Sequence, residues 1–357
     1  MKLNKVRILF IFIILNKYVY IKYKTLQKIG IIGLPHSQNV GNNLLKFAMF
    51  IKLSELGYSP YMVGERLKNH NISFLLNSVQ IRLIKNFSEI NENEFDILIV
   101  SSDQTWNAEY KKYLLYNIAF LKFAENWNMK KFIYGASLVF DKWKFTKEDE
   151  KTAKRLLKNF TGISVREKSS IKLIENHLGF KAQFVLDPTF LINKKYYLKL
   201  IKHYKSDIAK KINNENFIFA YILNNSTKVE KYLTEIKNHF QLKFFYLTIF
   251  HNNQVKEFLY GIKNSKAVIT DSFHGTVFSI IFKKPFIIIK NKNDDKRFND
   301  LAETFNFENR IFYLNSTINF SLLEQPLLIN DSVLILLKKS SINFLKTMLT
   351  AKSKEII

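Results

Sequence analysis

The chain has 357 residues, 47% of them hydrophobic, with 55 Lys and Arg against 30 Asp and Glu, a formal net charge of +25 and no cysteine. These values exclude a disordered chain, which lacks the apolar residues to collapse, a disulfide framework and any cysteine-ligated metal site. The length suits two domains of about 150 residues better than a single core.

The positive charge has two readings. One is attraction for anionic partners: phosphates, acidic glycans, a membrane surface or nucleic acid. The other is a solvated surface in a composition rich in Lys, Asn, Ile and Phe. With no zinc-finger, RNP-type or basic-zipper pattern, nucleic acid is not an expected partner.

The first segment, residues 1–28, is basic at both ends around the apolar run Ile8–Leu15, and no Asp or Glu precedes Glu55. The run is shorter than the ~20 residues a bilayer span needs. Lys17, Lys22 and Lys24 follow it in place of a small-residue cleavage site. The segment is therefore expected either to lie peripherally on an anionic membrane face or to form a packed or disordered terminal element.

Ile29–Leu34 is a predicted strand, His36–Asn43 a loop, Leu44–Leu56 an amphipathic helix stopped by Gly57, and Ser59–Val63 the next strand. This β-loop-α-β opening lacks the dinucleotide-binding glycine fingerprint. Asn39, Gly41, Asn42 and Asn43 either line a cleft or form the turn into the helix, which favours the same residue types. Phe95–Val100 is a strongly apolar strand followed by Ser101-Ser102-Asp103-Gln104-Thr105-Trp106-Asn107 at the end where open α/β sheets bind ligands. Asp103 there has two readings, a group positioning an acceptor hydroxyl and a helix cap. Lys131–Ala136 and Gly162–Val165 are further strands. Arg166 follows the latter, where a guanidinium fork suits a carboxylate or phosphate; pairing with Glu167 is the alternative. A helix over Ser170–Leu178, a strand over Gln183–Leu186 and a turn at Asp187-Pro188 complete the first domain.

The second domain reads as strand Asn216–Ile222, helix Thr227–His239, strand Lys243–Phe250, helix Val255–Ile262 and strand Ala267–Thr270. The loop Asp271-Ser272-Phe273-His274-Gly275-Thr276 then feeds a helix over Val277–Phe282, and Phe286–Ile289 is the next strand. A loop that opens a helix behind a buried strand offers free N–H groups and a positive dipole end to an anion. His274 stands where an imidazole can transfer a proton, and Gly275 admits close backbone approach. The bland alternative is a helix cap beside a surface histidine. Lys290, Lys292, Lys296 and Arg297 form a basic loop, and the chain from Phe320 reads as helical and Lys-rich. The remaining histidines (His36, His70, His177, His203, His239, His251) follow no metal-ligand spacing, so no metal is expected; only His36 lies in a cleft loop.

Alternating strands and helices in both halves predict an α/β protein of two Rossmann-like, doubly wound domains facing a cleft. The expected divisions are 1–28, 29–192, 193–318 and a helical tail at 319–357.

Four stretches, IGIIGLPHSQNVGNNLLKFAM (Ile29–Met49), FDILIVSSDQTWN (Phe95–Asn107), GISVREKSS with VLDPTFLI (Gly162–Ser170, Val185–Ile192) and TDSFHGT with the downstream KRFNDL, together resemble the polysaccharide pyruvyl transferase family over about 28–312. Ser101 stands where the family usually has Gly, and Asp294-Asp295-Lys296 precede Arg297-Phe298 where a Gly-Met-Ser-Arg-Phe type run is common. The resemblance implies a GT-B-like architecture. It also implies transfer of a pyruvyl group from phosphoenolpyruvate to two hydroxyls of a sugar, as a cyclic ketal, in making a cell-surface or exopolysaccharide precursor.

On that reading His274 transfers a proton or binds the donor phosphate, and Arg166 clamps the donor. The N–H groups of Gly275 and Thr276 take phosphate oxygens, Asp271 and Ser272 orient His274 or the start of its helix, and Arg297 or Lys296 adds charge. Asn42 and Asp103 bind substrate, Asp103 by positioning a hydroxyl of the acceptor, which is a sugar, oligosaccharide or lipid-linked glycan. No cofactor is implied beyond the donor substrate, and the setting is cytoplasmic, with possible contact to the inner membrane face. A GT-B glycosyltransferase using a nucleotide sugar and a non-catalytic glycan-assembly partner are the competing readings.

Overall fold

The computed structural model describes residues 26–351 apart from 38, 69–71, 110–111, 206–209, 211–215, 248–253, 291–294 and 315. Most of the basic first segment, with His70 and His251, lies outside the described residues.

The first half runs β1 (Lys28–Ile32), α1 (Val40–Glu55), β2 (Ser59–Glu65), α2 (Ser73–Ser78), β3 (Ile81–Ile84), β4 (Ile97–Val100), α3 (Lys112–Ala119), β5 (Lys130–Ala136), α4 (Lys147–Leu157), β6 (Gly162–Val165), α5 (Ser169–Leu178) and β7 (Gln183–Phe184). All seven strands are parallel, in the order β3-β2-β1-β4-β5-β6-β7. Two short helices, α6 (Pro188–Leu191) and α7 (Lys195–Ile201), lead to the second half: β8 (Phe217–Tyr221), α8 (Thr227–Phe240), β9 (Lys243–Tyr246), α9 (Gln254–Asn264), β10 (Ala267–Thr270), α10 (Phe273–Ile281), β11 (Phe286–Lys290), α11 (Lys296–Phe305) and β12 (Ile311–Tyr313). Its five parallel strands take the order β12-β11-β10-β8-β9. A last helix, α12, spans Asp331–Thr350.

Strands β4, β8, β10 and β11 are buried at every residue. This is why they read as unbroken apolar runs: a parallel sheet is covered on both faces. In each sheet the strand order reverses once, between β1 and β4 and between β8 and β10. Crevices at the carboxyl ends of such switch points are where open α/β sheets take ligands.

One apolar core is continuous across both halves. It joins Ile29 and Ile97 of the first sheet, α1, Phe190 of α6 and Tyr197 of α7 to Phe219 and Phe286 of the second sheet. Helix α12 closes it from behind. Phe344 packs on Phe132 and Tyr134, Leu186 N donates to Ser341 Oγ at 2.9 Å, and Lys130 Nζ donates to the Leu349 carbonyl at 2.6 Å. Among the described residues no helix is long and apolar enough to cross a membrane.

Three local expectations change. Helix α1 begins at Val40, capped by Asn39 Oδ1 on Asn42 N at 2.9 Å, so Gly41, Asn42 and Asn43 form its first turn and not a loop. Helix α10 begins at Phe273, which shortens the expected six-residue loop to Asp271 and Ser272. Lys296 and Arg297 open helix α11, capped by Asp295, where a basic loop is expected. Strands β3 and β12 and helices α2, α3, α4 and α11 carry too short or too polar a pattern to stand out in the sequence.

Candidate active site

The polar site lies at the carboxyl ends of β1, β4 and β6, facing the start of α10. Arg166 leaves the end of β6, and its backbone N–H donates to the Ala136 carbonyl at 3.1 Å. Its Nη1 donates to Asp187 Oδ2 at 2.5 Å and its Nη2 to Asp103 Oδ1 at 3.5 Å, all buried. Glu167 is no ion-pair partner of comparable quality: its Oε1 lies 4.0 Å from Arg166 Nε, beyond hydrogen-bond reach. Burial pushes the Glu167 carboxyl up to about 7, against the pull of Arg166.

Asp187 is the residue the sequence reading missed. It caps α6, whose first position is Pro188, and accepts on Oδ1 from Thr189 N at 3.0 Å and Thr189 Oγ1 at 2.7 Å. That leaves Oδ2 for Arg166 and for His274, whose Nε2 stands 3.6 Å away. Burial pushes the Asp187 carboxyl up, but His274 and Arg166 outweigh it and hold the group well below the usual carboxylate range. One carboxylate therefore orients both the guanidinium and the imidazole. An Asp before a Pro at a strand end was the available signal, and it reads equally as a turn.

Asp103 does not cap a helix. Asn42 Nδ2 donates to its Oδ2 at 3.0 Å, and its carbonyl accepts from Thr105 N at 2.7 Å and Ser137 N at 3.0 Å. Its φ of 90° lies where few non-glycine residues go, Asp among the more tolerant. Burial raises its carboxyl, and Arg166, His274 and the Asn42 amide outweigh that and lower it.

His274 sits in the first turn of α10, buried, with its ring edge-on to Phe273 at 5.4 Å between centroids. Gly41 of α1 faces it so closely that a Cβ there would overlap the imidazole. This contact, and no special backbone angle, explains a glycine inside a helix, where it costs about 1 kcal/mol relative to Ala. Gly41→Ala is expected to displace His274 and lower kcat by about 10²-fold with an unchanged far-ultraviolet circular dichroism spectrum. Wild-type turnover in that variant means the contact is not used.

Several expected roles need correction. The N–H groups of Gly275 and Thr276 are already used: Gly275 N donates to Ser272 Oγ at 3.3 Å and Thr276 N to the Ser272 carbonyl at 3.0 Å. A Cβ at Gly275 would overlap the Thr270 side chain, which accounts for the glycine within the protein itself. Among the described residues the N–H groups of Phe273 and His274, one step earlier, have no protein acceptor and are the ones open to an anion. Asp271 does not touch His274. It accepts from Leu223 N at 2.6 Å and Asn224 N at 2.7 Å, tying β10 to β8 across the second switch point. Ser272 caps α10 as expected of a residue orienting that helix start.

Arg297 does face the site but is largely engaged. It forks onto Asp295 at 2.9 and 2.6 Å. The Gln104 amide, with its oxygen turned to the guanidinium, accepts from Nη1 at 2.7 Å and Nη2 at 3.1 Å. Both guanidinium carbons stand over the Phe273 ring, Arg166 at 4.8 Å and Arg297 at 5.5 Å, within cation–π range. Lys296 lends no charge to the site: its Nζ pairs with Asp141 at 3.1 Å and its N–H donates to the Val139 carbonyl at 3.0 Å. With Asp300, which accepts from Ser169 Oγ at 2.6 Å, it clasps α11 to the first sheet's loops.

Around this cluster His36 Nε2, Asn42 Oδ1, Asn43 Oδ1, Ser101 Oγ, Thr105 Oγ1, Arg166 Nε and His274 Nε2 are buried without a hydrogen-bond partner. Each such group costs about 1–3 kcal/mol if left unpaired. Their concentration at one set of strand ends marks a place built for a polar ligand. Among the described residues no group of three His, Asp or Glu side chains could hold a metal ion.

Two parallel sheets with a polar site between their carboxyl ends define a two-domain α/β protein of the GT-B type. Solved structures share this fold. S. aureus MnaA in a co-structure with UDP matches with a TM-score of 0.54 at 14% identity, covering 93% of this chain and 92% of that one. UDP-GlcNAc 2-epimerase from Neisseria meningitidis bound to UDP-GlcNAc matches with a TM-score of 0.52 at 11% identity, covering 92% and 96%. Arabidopsis thaliana UGT89C1 complexed with UDP-L-rhamnose matches with a TM-score of 0.55 at 7% identity, covering 91% and 100%. No curated protein matches the sequence. The family model described as polysaccharide pyruvyl transferase matches residues 17–293, and the chain belongs to that family.

Proposed function

We propose that the protein transfers a pyruvyl group from phosphoenolpyruvate to two hydroxyls of a sugar in a glycan precursor, forming a cyclic ketal. Beyond family membership, the observation that carries this reading is the shared carboxylate of Asp187, which holds a guanidinium and an imidazole side by side at the start of a helix. The donor bears a carboxylate and a phosphate. Arg166, whose Nε–H is unpartnered, and the N–H groups of Phe273 and His274 would receive them in a site shielded from water.

The first sugar oxygen bonds to the donor's C2 as the C2=C3 π bond breaks and C3 takes a proton from His274; the proton this hydroxyl loses returns to the neutral imidazole. The second hydroxyl then displaces phosphate, whose C2–O bond breaks with its electron pair and which leaves carrying the second hydroxyl's proton. Asp187 stabilises the imidazolium before each transfer, as a carboxylate does for a catalytic histidine. Asn42 and Asp103 face the acceptor, and Asp103 orients its hydroxyl. No cofactor is required by this scheme. The proposed setting is the cytoplasmic face of a membrane, with the acceptor free or lipid-linked and residues 1–28 in peripheral contact.

Calorimetric titration of the purified protein with phosphoenolpyruvate and with a panel of nucleotides and nucleotide sugars tests the reading. Saturable binding of phosphoenolpyruvate alone supports it. Binding of a nucleotide diphosphate with indifference to phosphoenolpyruvate replaces it with a nucleotide-sugar glycosyltransferase, for which the same anion site would serve.

A further inference from the structure

Lys46 lies on α1 one turn beyond Asn42 and Asn43 and is buried with them. Its Nζ donates to the Leu34 carbonyl at 2.8 Å and meets His36 Nδ1 at 2.9 Å. Both partners are neutral. The carboxylate that acts on it, Asp103, does so through space, because the hydrogen bonds of Asp103 go to Asn42 and Arg166. An ammonium taken out of water without a counterion in contact holds its proton weakly.

Among the described residues, few groups face this amine. His36 comes from the loop after β1, Asp103 from the loop after β4, and Asn42 from its own helix. Arg166, Asp187 and His274 follow in a chain of contacts beyond Asp103. We propose that an anion received by the unpartnered Nε of Arg166 and the first N–H groups of α10 draws a proton onto Lys46, so that anion binding and protonation of this buried amine are one coupled event.

The physical reason is that a new negative charge in a low-dielectric cluster stabilises any nearby group able to become positive. Arg166 and Arg297 are permanently charged and cannot respond; Lys46 can, as can the imidazole of His274 and the carboxyl of Glu167, from which the test must separate it. Burial brings its amine down to about 7, with Asp103 pulling it back up. Above that pH the free protein holds Lys46 largely neutral, and binding must supply the proton. Lys46 touches no ligand in this arrangement; it is a positioning residue acting through Asp103 and Asn42. His36 reports its state. With Lys46 donating to Nδ1, the hydrogen of the neutral ring sits on Nε2, and burial followed by Lys46 lowers the ring's pKa to about 2, so the ring itself does not titrate near neutrality.

The inference rests on the anion-binding part of the proposed function and not on which anion is the true donor. The first arm of the test needs no ligand. The ¹⁵N shift of His36 Nδ1, followed from about pH 6 to about pH 9, is expected to show a transition near 7 in wild type and none in Lys46→Arg or Lys46→Met. A flat wild-type profile overturns the proposal.

The second arm measures protons taken up on binding, by calorimetry in buffers of different ionisation enthalpy, with phosphoenolpyruvate and separately with UDP. At about pH 8 uptake approaches one proton per anion, and Kd rises about tenfold per pH unit above 7, where a phosphate monoester is already fully ionised. Glu167 titrates in the same range. The uptake must therefore persist in Glu167→Gln and in His274→Gln, whose imidazole faces the same anion, and vanish in Lys46→Arg. Uptake that disappears with Glu167→Gln, or binding of either anion without uptake, overturns the coupling. Uptake with UDP but no binding of phosphoenolpyruvate keeps the coupling and sinks pyruvyl transfer. Binding of neither anion overturns both.

Discussion

Arg166→Ala is expected to lose anion binding beyond about 10²-fold and to destabilise the fold by about 3–5 kcal/mol. The second number follows from what stays behind. The guanidinium is the contact partner of Asp187 and a partner of Asp103, both buried, and removing one member of a buried pair strands the other charge. The two effects can be separated. Arg166→Ala combined with Asp187→Asn removes the stranded charge, so it should recover much of the denaturation midpoint while leaving binding lost. Arg166→Ala that binds phosphoenolpyruvate like wild type refutes the clamp. The acid dependence has a fixed sign. The Asp187 carboxyl is lowered in the folded protein, so the pair's contribution is complete above the ordinary carboxylate range and is lost as pH falls through the depressed value.

The second large effect is on turnover and not on binding. His274→Gln keeps a side chain of similar reach that can hydrogen-bond but cannot shuttle a proton. With Gly41 leaving room for the ring and Asp187 beside its Nε2, the loss of general acid–base catalysis should lower kcat by about 10²–10⁴-fold. KM for phosphoenolpyruvate should change far less, because Arg166 and the N–H groups of α10 remain. A variant that loses affinity and keeps kcat would instead make His274 a phosphate ligand. Steady-state kinetics with varied phosphoenolpyruvate distinguish the two once an acceptor is in hand.

Much of the fold was legible because parallel sheets are buried on both faces. FDILIV, AVIT and FIII are apolar without alternation, and each is followed by the polar residues of a strand end. Of the candidate site, Arg166 and His274 were legible as polar residues at the ends of apolar strands, each with a bland alternative that the buried Asp187 between them now disfavours.

It was illegible where the reason lies across space. Gly41, Asn42 and Asn43 are poor helix formers, so the sequence places the helix after them; the ring of His274 and the carboxylate of Asp103 are what make those residues fit its first turn. Lys46 reads as a solvated lysine because lysines are rarely buried. Its position one turn from Asn42, between Leu45 and Phe47, was the only sign. The anion-binding role given to Gly275 and Thr276 failed on two hydrogen bonds: the Ser272 hydroxyl accepts from Gly275 N and the Ser272 carbonyl from Thr276 N, which moves the free N–H groups back to Phe273 and His274.

Helix α12 gives the end of the chain an unexpected claim on the chemistry. Ser341 accepts the N–H of Leu186, the residue before Asp187, and Tyr134, against which Phe344 packs, donates its hydroxyl to the carbonyl of the same Leu186 at 2.9 Å. The Met348 thioether lies against Gly162, where a Cβ would force it to move, and Gly162 opens the strand that leads to Arg166. Both members of the central ion pair are thus anchored by the final twenty-residue helix. The segment that holds both supplies no atom to the site itself, so removing α12 is expected to loosen the guanidinium and its carboxylate together while every side chain that would face the anion is still present.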